Sequence, residues 1–144
     1  MPYTKIRVHL VWATKCREPL LSKKIRQHVF KHIEENAKKK GIQIDEINGH
    51  EDHAHVLLSM HANQSIAEIA QLIKGESSYW INKNNLIPGK FEWQDDYFAV
   101  SVSEADVNRV REYIRNQETH HTHKTFHEEY TALMKEYESA FSGG

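Results

Sequence analysis

The chain has one cysteine, Cys16, so no disulfide within it can staple the fold, and a reducing cytoplasm is the expected setting. Three prolines and six glycines in 144 residues leave no linker-like or low-complexity stretch. No apolar run approaches the roughly 20 residues needed to cross a bilayer, and Met1-Pro2 leads straight into a strand-like pattern without a leader-type hydrophobic segment. These features predict a soluble protein with no membrane partner. A large excess of charge is missing too: 19 Lys and Arg stand against 20 Asp and Glu, a formal net charge of −1, which does not announce a polyanion binder. That balance hides an asymmetry. Residues 1–48 carry 11 Lys and Arg against 5 Asp and Glu, and the remainder 8 against 15. Any phosphate-binding surface is therefore expected to draw on the N-terminal third, for example on Lys23, Lys24, Arg26 and Lys31.

What the chain has in quantity is histidine, 11 in all. At that density chance supplies on the order of one His-x-His, and His121-Thr122-His123 is an unremarkable copy. The stretch Asp52-His53-Ala54-His55-Val56-Leu57-Leu58-Ser59-Met60 differs because it alternates. Ala54, Val56, Leu58 and Met60 fall on one face of a strand. His53, His55, Leu57 and Ser59 fall on the other, so both imidazoles point the same way and can hold one ion.

The other elements follow from periodicity and punctuation. Tyr3 to Thr14 alternates as a first strand, with Ile6, Val8, Leu10 and Trp12 against Arg7, His9 and Val11. Ser22 precedes a helix striped by Ile25, Val29, Ile33 and Ala37, which Gly41 closes. Ile42 to Ile47 reads as a second strand, Asn48-Gly49 as a hairpin turn, and the histidine strand returns antiparallel. Ser65-Ile66-Ala67-Glu68 is a capping box opening a helix striped by Ile66, Ile69, Ala70, Ile73, Trp80 and Ile81. Tyr97 to Val102 is a fourth strand with Phe98, Val100 and Val102 inward. Ser103 and Asp106 then start a helix striped by Val107, Val110 and Ile114. Thr125 and Glu128 cap a last helix with Phe126, Tyr130, Leu133, Met134, Tyr137 and Phe141 on one face.

This order predicts an α+β, ferredoxin-like antiparallel sheet (βαββαβ) with additional C-terminal helices. The expectation is a single domain over 1–144, with 121–144 a helical tail. With the first and third strands adjacent, Arg7, His9, His53 and His55 merge into one surface away from the first two helices, and that surface is expected to be open. Tyr113 and Gln117 lie one helical turn apart beside the apolar stripe of their helix, so both can reach outward together.

With these residues in place the chain resembles the single-tyrosine HUH transposases of bacterial insertion sequences, small enzymes that move elements as single-stranded DNA. His9-Leu10-Val11-Trp12-Ala13-Thr14-Lys15 is similar to the family's first strand, and Asp52-His53-Ala54-His55-Val56-Leu57-Leu58 to its His-hydrophobic-His strand. Lys74-Gly75-Glu76-Ser77-Ser78 resembles its second helix, and Tyr113-Ile114-Arg115-Asn116-Gln117 its catalytic helix. Four motifs in order over roughly residues 3–120 are far more specific than His-x-His alone.

The resemblance implies that His53, His55 and Gln117 hold a divalent metal, Mg²⁺ or Mn²⁺, and that Tyr113 attacks a DNA phosphodiester. Cleavage and rejoining at hairpin-flanked element ends would then pass through a 5′-phosphotyrosine without a nucleotide cofactor. Lys15 and Arg17 are expected phosphate contacts, and His9 a supporting or DNA-contacting residue. Cys16 and Glu18 depart from the aromatic and basic residues common at their positions, which weakens the expectation of DNA contact there. Asp52 faces away from the histidines and is expected to serve the turn. The resemblance also implies a homodimer, and leaves open whether the tyrosine helix completes its own chain's site or its partner's.

Three other readings use the same residues. One is a host-adapted HUH nuclease processing repeated hairpins. Another is an inactive single-stranded DNA-binding regulator, with Trp93 and Tyr97 stacking on bases. A metal-dependent hydrolase of small molecules would need further acidic ligands, and the sequence shows no such set.

Overall fold

The computed structural model describes residues 2–120 and 125–142. Strands β1 (Ile6–Ala13), β2 (Gln43–His50), β3 (His53–Met60) and β4 (Phe98–Ser101) form one antiparallel sheet in the order β2-β3-β1-β4. Helix α1 (Lys23–Lys39) joins β1 to β2, and α2 (Ile66–Lys83) joins β3 to β4. This is the ferredoxin-like α+β plan, followed by α3 (Val107–Arg115), the short α4 (Gln117–His120) and α5 (Phe126–Ser142). His121 to Lys124, including the spare His-x-His, lie outside the described residues.

The period-two reading of β1 and β3 holds. Val8, Leu10 and Trp12 of β1 and Ala54, Val56 and Leu58 of β3 are buried in one core with Val29, Phe30, Ile33 and Ala37 of α1 and Ile69, Ala70, Ile73 and Ile81 of α2. Burying an aliphatic side chain of this size stabilises by roughly 1.5–3 kcal/mol, so a one-residue slip of β3 would forfeit its whole apolar set and drive both histidines into the helices. The Ser65 cap forms as expected, its Oγ accepting the Glu68 N–H at 3.1 Å.

Three local expectations are corrected. The hairpin does not turn at Asn48-Gly49: β2 runs on to His50, which pairs with His53, and the chain reverses at Glu51-Asp52. Gly49 sits inside the strand because there is no room for a side chain. A Cβ there would lie 2.1 Å from the His53 carbonyl oxygen. Gly49→Ala should therefore cost about 2–3 kcal/mol by overpacking, read as a lower denaturation midpoint at unchanged m-value, whereas a glycine in a free turn would tolerate the change.

The second correction concerns β4. Phe98 pairs with Val11 and Val100 with His9, so they face the histidine side, and only Ala99 packs on the α1–α2 core. The third follows from it, because the histidine face is covered. Val107, Val110 and Ile114 of α3 bury Leu57, while Tyr130 and Met134 of α5 pack on Val11, Ala13 and Phe98. A face that carries Val11, Ala13, Leu57 and Phe98 among its polar residues exposes too much apolar surface to remain bare.

Charge fastens α3 to its own chain. Arg111 grips Asp45 with two bonds, Nε–Oδ1 at 2.7 Å and Nη2–Oδ2 at 2.6 Å, and Arg115 Nε donates to Glu46 at 3.0 Å. The Arg111 guanidinium holds the Asp45 carboxyl below its ordinary pKa. Asn48 Nδ2 donates to the Arg115 carbonyl at 3.1 Å, satisfying one of the carbonyls that a helix end leaves without a partner.

Candidate metal and nucleophile centre

The register of β1 against β3 sets the centre. His53 lies opposite Ala13 and His55 opposite Val11, while His9, opposite Leu57, is diagonal to His55 on the same face. Both imidazoles are fully buried, and each has its Nδ1 engaged. His53 Nδ1 meets Asp52 Oδ1 at 2.8 Å, and His55 Nδ1 meets His9 Nε2 at 2.9 Å. With the proton on Nδ1, each ring turns an Nε2 lone pair toward the same point, the orientation that partners behind a metal-bound histidine enforce.

Asp52 thus does more than shape the turn: it orients His53. His9 is 1% exposed and meets His55 instead of solvent. Burial, reinforced by the charge of His55 and opposed by Glu129, lowers its pKa to about 3, so it is a neutral partner at any physiological pH. For His53 burial also opposes the charged form, but Asp52, Glu129 and Gln117 outweigh it and its pKa lies above the ordinary value.

Tyr113 projects from α3 over these rings, its centroid 5.6 Å from that of His55 and 6.2 Å from that of His9. The helix does not run through to Gln117. It ends at Arg115, Asn116 caps it by donating its N–H to the Glu112 carbonyl, and Gln117 opens α4. Gln117 is nonetheless fully buried, with Oε1 3.0 Å from His53 Nε2. The i,i+4 spacing survives the break and brings Tyr113 and Gln117 to one place.

Sequence reasoning missed Glu129. This residue in the first turn of α5 is 3% exposed. Its Oε1 lies 2.9 Å from His55 Nε2 and accepts the Gln117 Nε2–H at 2.8 Å, and its Oε2 lies 3.3 Å from His53 Nε2. The Tyr113 hydroxyl also donates to Oε1. Ligand atoms of His53, His55 and Glu129 lie within 4.8 Å of one another, close enough to share one ion. Two imidazole nitrogens with amide and carboxylate oxygens suit a divalent cation. The only forewarning was its place on the striped helix, one residue before Tyr130.

The remaining predicted residues lie elsewhere. Lys15 is exposed and pairs with Glu92 at 2.7 Å, and Arg17 is exposed in the turn after β1. Lys15 lines a surface pocket of about 800 Å³ on the α2 side, with Lys74 and Tyr97 but also Glu92, Asp95 and Asp96. Arg26 is not available as a surface cation: it is buried and held by the Leu21 carbonyl and Glu118. Trp93, 7% exposed, packs edge-on to Trp12 and Phe91, so of the two aromatics considered for base stacking only Tyr97 reaches the surface.

Known proteins resemble this chain in sequence and fold. The sequence model of the family described as "Transposase IS200 like" matches residues 2–117, from the first strand through Gln117. The chain belongs to the IS200-like transposase family. It is 26% identical over 119 residues to the ISDra2 transposase TnpA of Deinococcus radiodurans, spanning 78% of this chain and 84% of that protein. A crystal structure assigned to a transposase of Deinococcus radiodurans R1 superposes with a TM-score of 0.66 at 25% identity, over 81% of this chain and 93% of that one. A REP-associated tyrosine transposase bound to a REP hairpin shares the fold, with a TM-score of 0.64 at 14% identity over 84% and 72% of the two chains. Membership brings DNA-cleaving and strand-transfer activity to this IS200-like transposase. Among its described residues no helix is long and apolar enough to cross a membrane.

Proposed function

We propose that this IS200-like transposase cleaves and rejoins single-stranded DNA at hairpin-flanked ends, with Tyr113 as nucleophile and His53, His55 and Gln117 as ligands of a Mg²⁺ or Mn²⁺ ion. The observation that carries this reading is the meeting of the Tyr113 hydroxyl, the Gln117 amide and the Nε2 atoms of His53 and His55 around one buried carboxylate, that of Glu129, with Gln117 Oε1 also 3.0 Å from His53 Nε2. The ion, when bound, supplies Lewis-acid polarisation of the phosphate and a template for it.

The chain does the rest. Asp52 and His9 hold the histidines in orientation. Tyr113 Oη attacks phosphorus as its proton passes to water, the P–O3′ bond breaks, and the departing 3′ oxygen takes up a proton from water. The DNA 5′ end is then a phosphotyrosine. An incoming 3′ hydroxyl reverses the step and releases Tyr113, so the bond energy is conserved and no nucleotide is consumed. Lys15 and Arg17 remain the proposed phosphate contacts, on the exposed turn after β1. The whole chain, 1–144, acts as one domain with 121–144 as its C-terminal helical tail, working in the cytoplasm where it meets DNA.

Wild type mixed with a hairpin-bearing single strand and Mg²⁺ or Mn²⁺ should give a protein–DNA adduct that survives denaturation. The same sequence as a duplex should give little, because the hairpin cannot form. An inactive single-strand binder would retain the hairpin without linking to it, and that result would overturn the reading. REP-hairpin binding by the structural relative favours a hairpin as the first substrate to try.

The homodimer remains part of the proposal, with each site built in cis, since Arg111, Arg115 and Asn48 fasten the tyrosine helix to its own sheet. Mixing His55→Ala with Tyr113→Phe under conditions of subunit exchange should then restore no cleavage. Recovery toward half of the wild-type activity would mean that the helices swap between subunits.

A further inference from the structure

Glu129 lies beyond the residues that the family model matches, which end at Gln117, yet its carboxylate stands at the middle of the centre. We propose that Glu129 is a protein ligand of the same ion as His53, His55 and Gln117, and that ion binding thereby fastens α5 across the histidine face of the sheet. This inference rests on the metal-centred reading given above.

The geometry carries it. His53 Nε2 faces Gln117 Oε1 at 3.0 Å and Glu129 Oε2 at 3.3 Å, and His55 Nε2 faces Glu129 Oε1 at 2.9 Å. With each Nδ1 already turned to Asp52 or His9, the two Nε2 atoms and the Gln117 and Glu129 oxygens stand around one point, where a cation can take the place of the contacts between them. Neighbouring ligands of an octahedral ion with bonds of about 2.1 Å stand about 3 Å apart, and the three contacts just given span 2.9–3.3 Å. The ligand chemistry agrees. Two imidazoles and a neutral amide are a weak set for a hard cation such as Mg²⁺, and a carboxylate supplies both the preferred oxygen and a negative charge.

A carboxylate that is 3% exposed also needs compensation. Burying an ionised group costs several kcal/mol unless charge or hydrogen bonds offset it; the Tyr113 hydroxyl and the Gln117 amide supply hydrogen bonds, and a divalent ion would add the opposite charge. Packing aims the side chain: Leu133 is buried one turn on, and Tyr130 and Met134 lie on Val11, Ala13 and Phe98. Docking of α5 and delivery of the ligand are therefore one event.

Mn²⁺ titration of the full chain without DNA, with free Mn²⁺ counted by electron paramagnetic resonance, tests this. Glu129→Gln keeps the shape and removes the charge, and it should weaken Mn²⁺ at least about 10-fold, the lower bound for losing even a group behind the ligands. Glu129→Asp should recover part of the loss, and Glu128→Gln, altering the exposed neighbour, should bind as wild type does. In wild type, Mn²⁺ should also slow hydrogen exchange across residues 126–134, a readout that needs no variant to fold.

If His55→Ala loses Mn²⁺ while Glu129→Gln binds it as wild type does, the ion is real and Glu129 is not its ligand. Tighter binding by Glu129→Gln would likewise overturn the proposal, because the carboxylate would then be holding the ion's place. Unchanged exchange across 126–134 would sink the fastening of α5. If wild type and His55→Ala bind equally poorly, the metal-centred reading falls and this inference with it.

Discussion

Tyr113→Phe should form no covalent adduct with hairpin DNA and should cleave it more slowly by on the order of 10⁴-fold or more, the scale on which loss of a sole nucleophile is felt. Only one oxygen is removed. The ring still packs over His55 and His9, and Val107, Val110 and Ile114 still bury α3 against Leu57, so stability should change by no more than about 1–2 kcal/mol for the lost hydrogen bond to Glu129. Binding of the hairpin should persist, which separates loss of chemistry from loss of substrate. Mass spectrometry of the wild-type adduct should place the DNA on Tyr113. A linkage on Tyr3, Tyr97 or Tyr130 would remove α3 from the chemistry. The specificity of this test comes from geometry, since Tyr3 and Tyr97 stand exposed away from the two histidines.

The second large effect is expected at the histidines. His55→Ala should lower cleavage by on the order of 10³-fold, corresponding to about 4 kcal/mol of lost transition-state stabilisation, and His53→Ala by as much. The far-ultraviolet circular dichroism of both should match wild type, because the β1–β3 ladder is made by backbone groups and the core face of β3 is Ala54, Val56 and Leu58. The thermal midpoint should still fall. Each substitution leaves Asp52 or His9 without its ring partner and takes an imidazole from the buried Glu129, and uncompensated buried charge is strongly destabilising. Activity of either variant near the wild-type rate in Mg²⁺ would strip the histidines of their assigned role, whatever happened to stability.

These three substitutions probe residues that local patterning already placed. Strict alternation from Ala54 to Met60 is a statement about which way a strand's side chains point, and it holds wherever the strand is put, so the shared face of His53 and His55 was legible in one dimension. The i,i+4 spacing of Tyr113 and Gln117 is equally local. It survived even the helix break at Asn116, because a one-residue cap hardly changes the rise along the axis. The Ser65 cap, the stripes of α1 and α2 and the element order that yields the β2-β3-β1-β4 sheet are of the same kind.

Other features depended on what arrives from far along the chain. Asn48-Gly49 has the chemistry of a turn, and only the close approach of the His53 carbonyl makes Gly49 a strand residue. The histidine face looks open in sequence because its residues are mixed. It is closed because the apolar faces of α3 and α5 must be buried somewhere and Leu57, Val11, Ala13 and Phe98 offer the matching surface. Glu129 is the clearest case. In sequence it is one of two adjacent glutamates in the first turn of an amphipathic helix, where solvated acids are common because they suit the helix dipole. One of the pair stays exposed and the other is buried between two imidazoles, and that choice was made by the rotation at which α5 docks. The sequence by itself determined the direction in which each strand and helix presents its side chains; tertiary packing decided which of those faces meet, since contact between distant residues depends on burial energies summed over the whole fold.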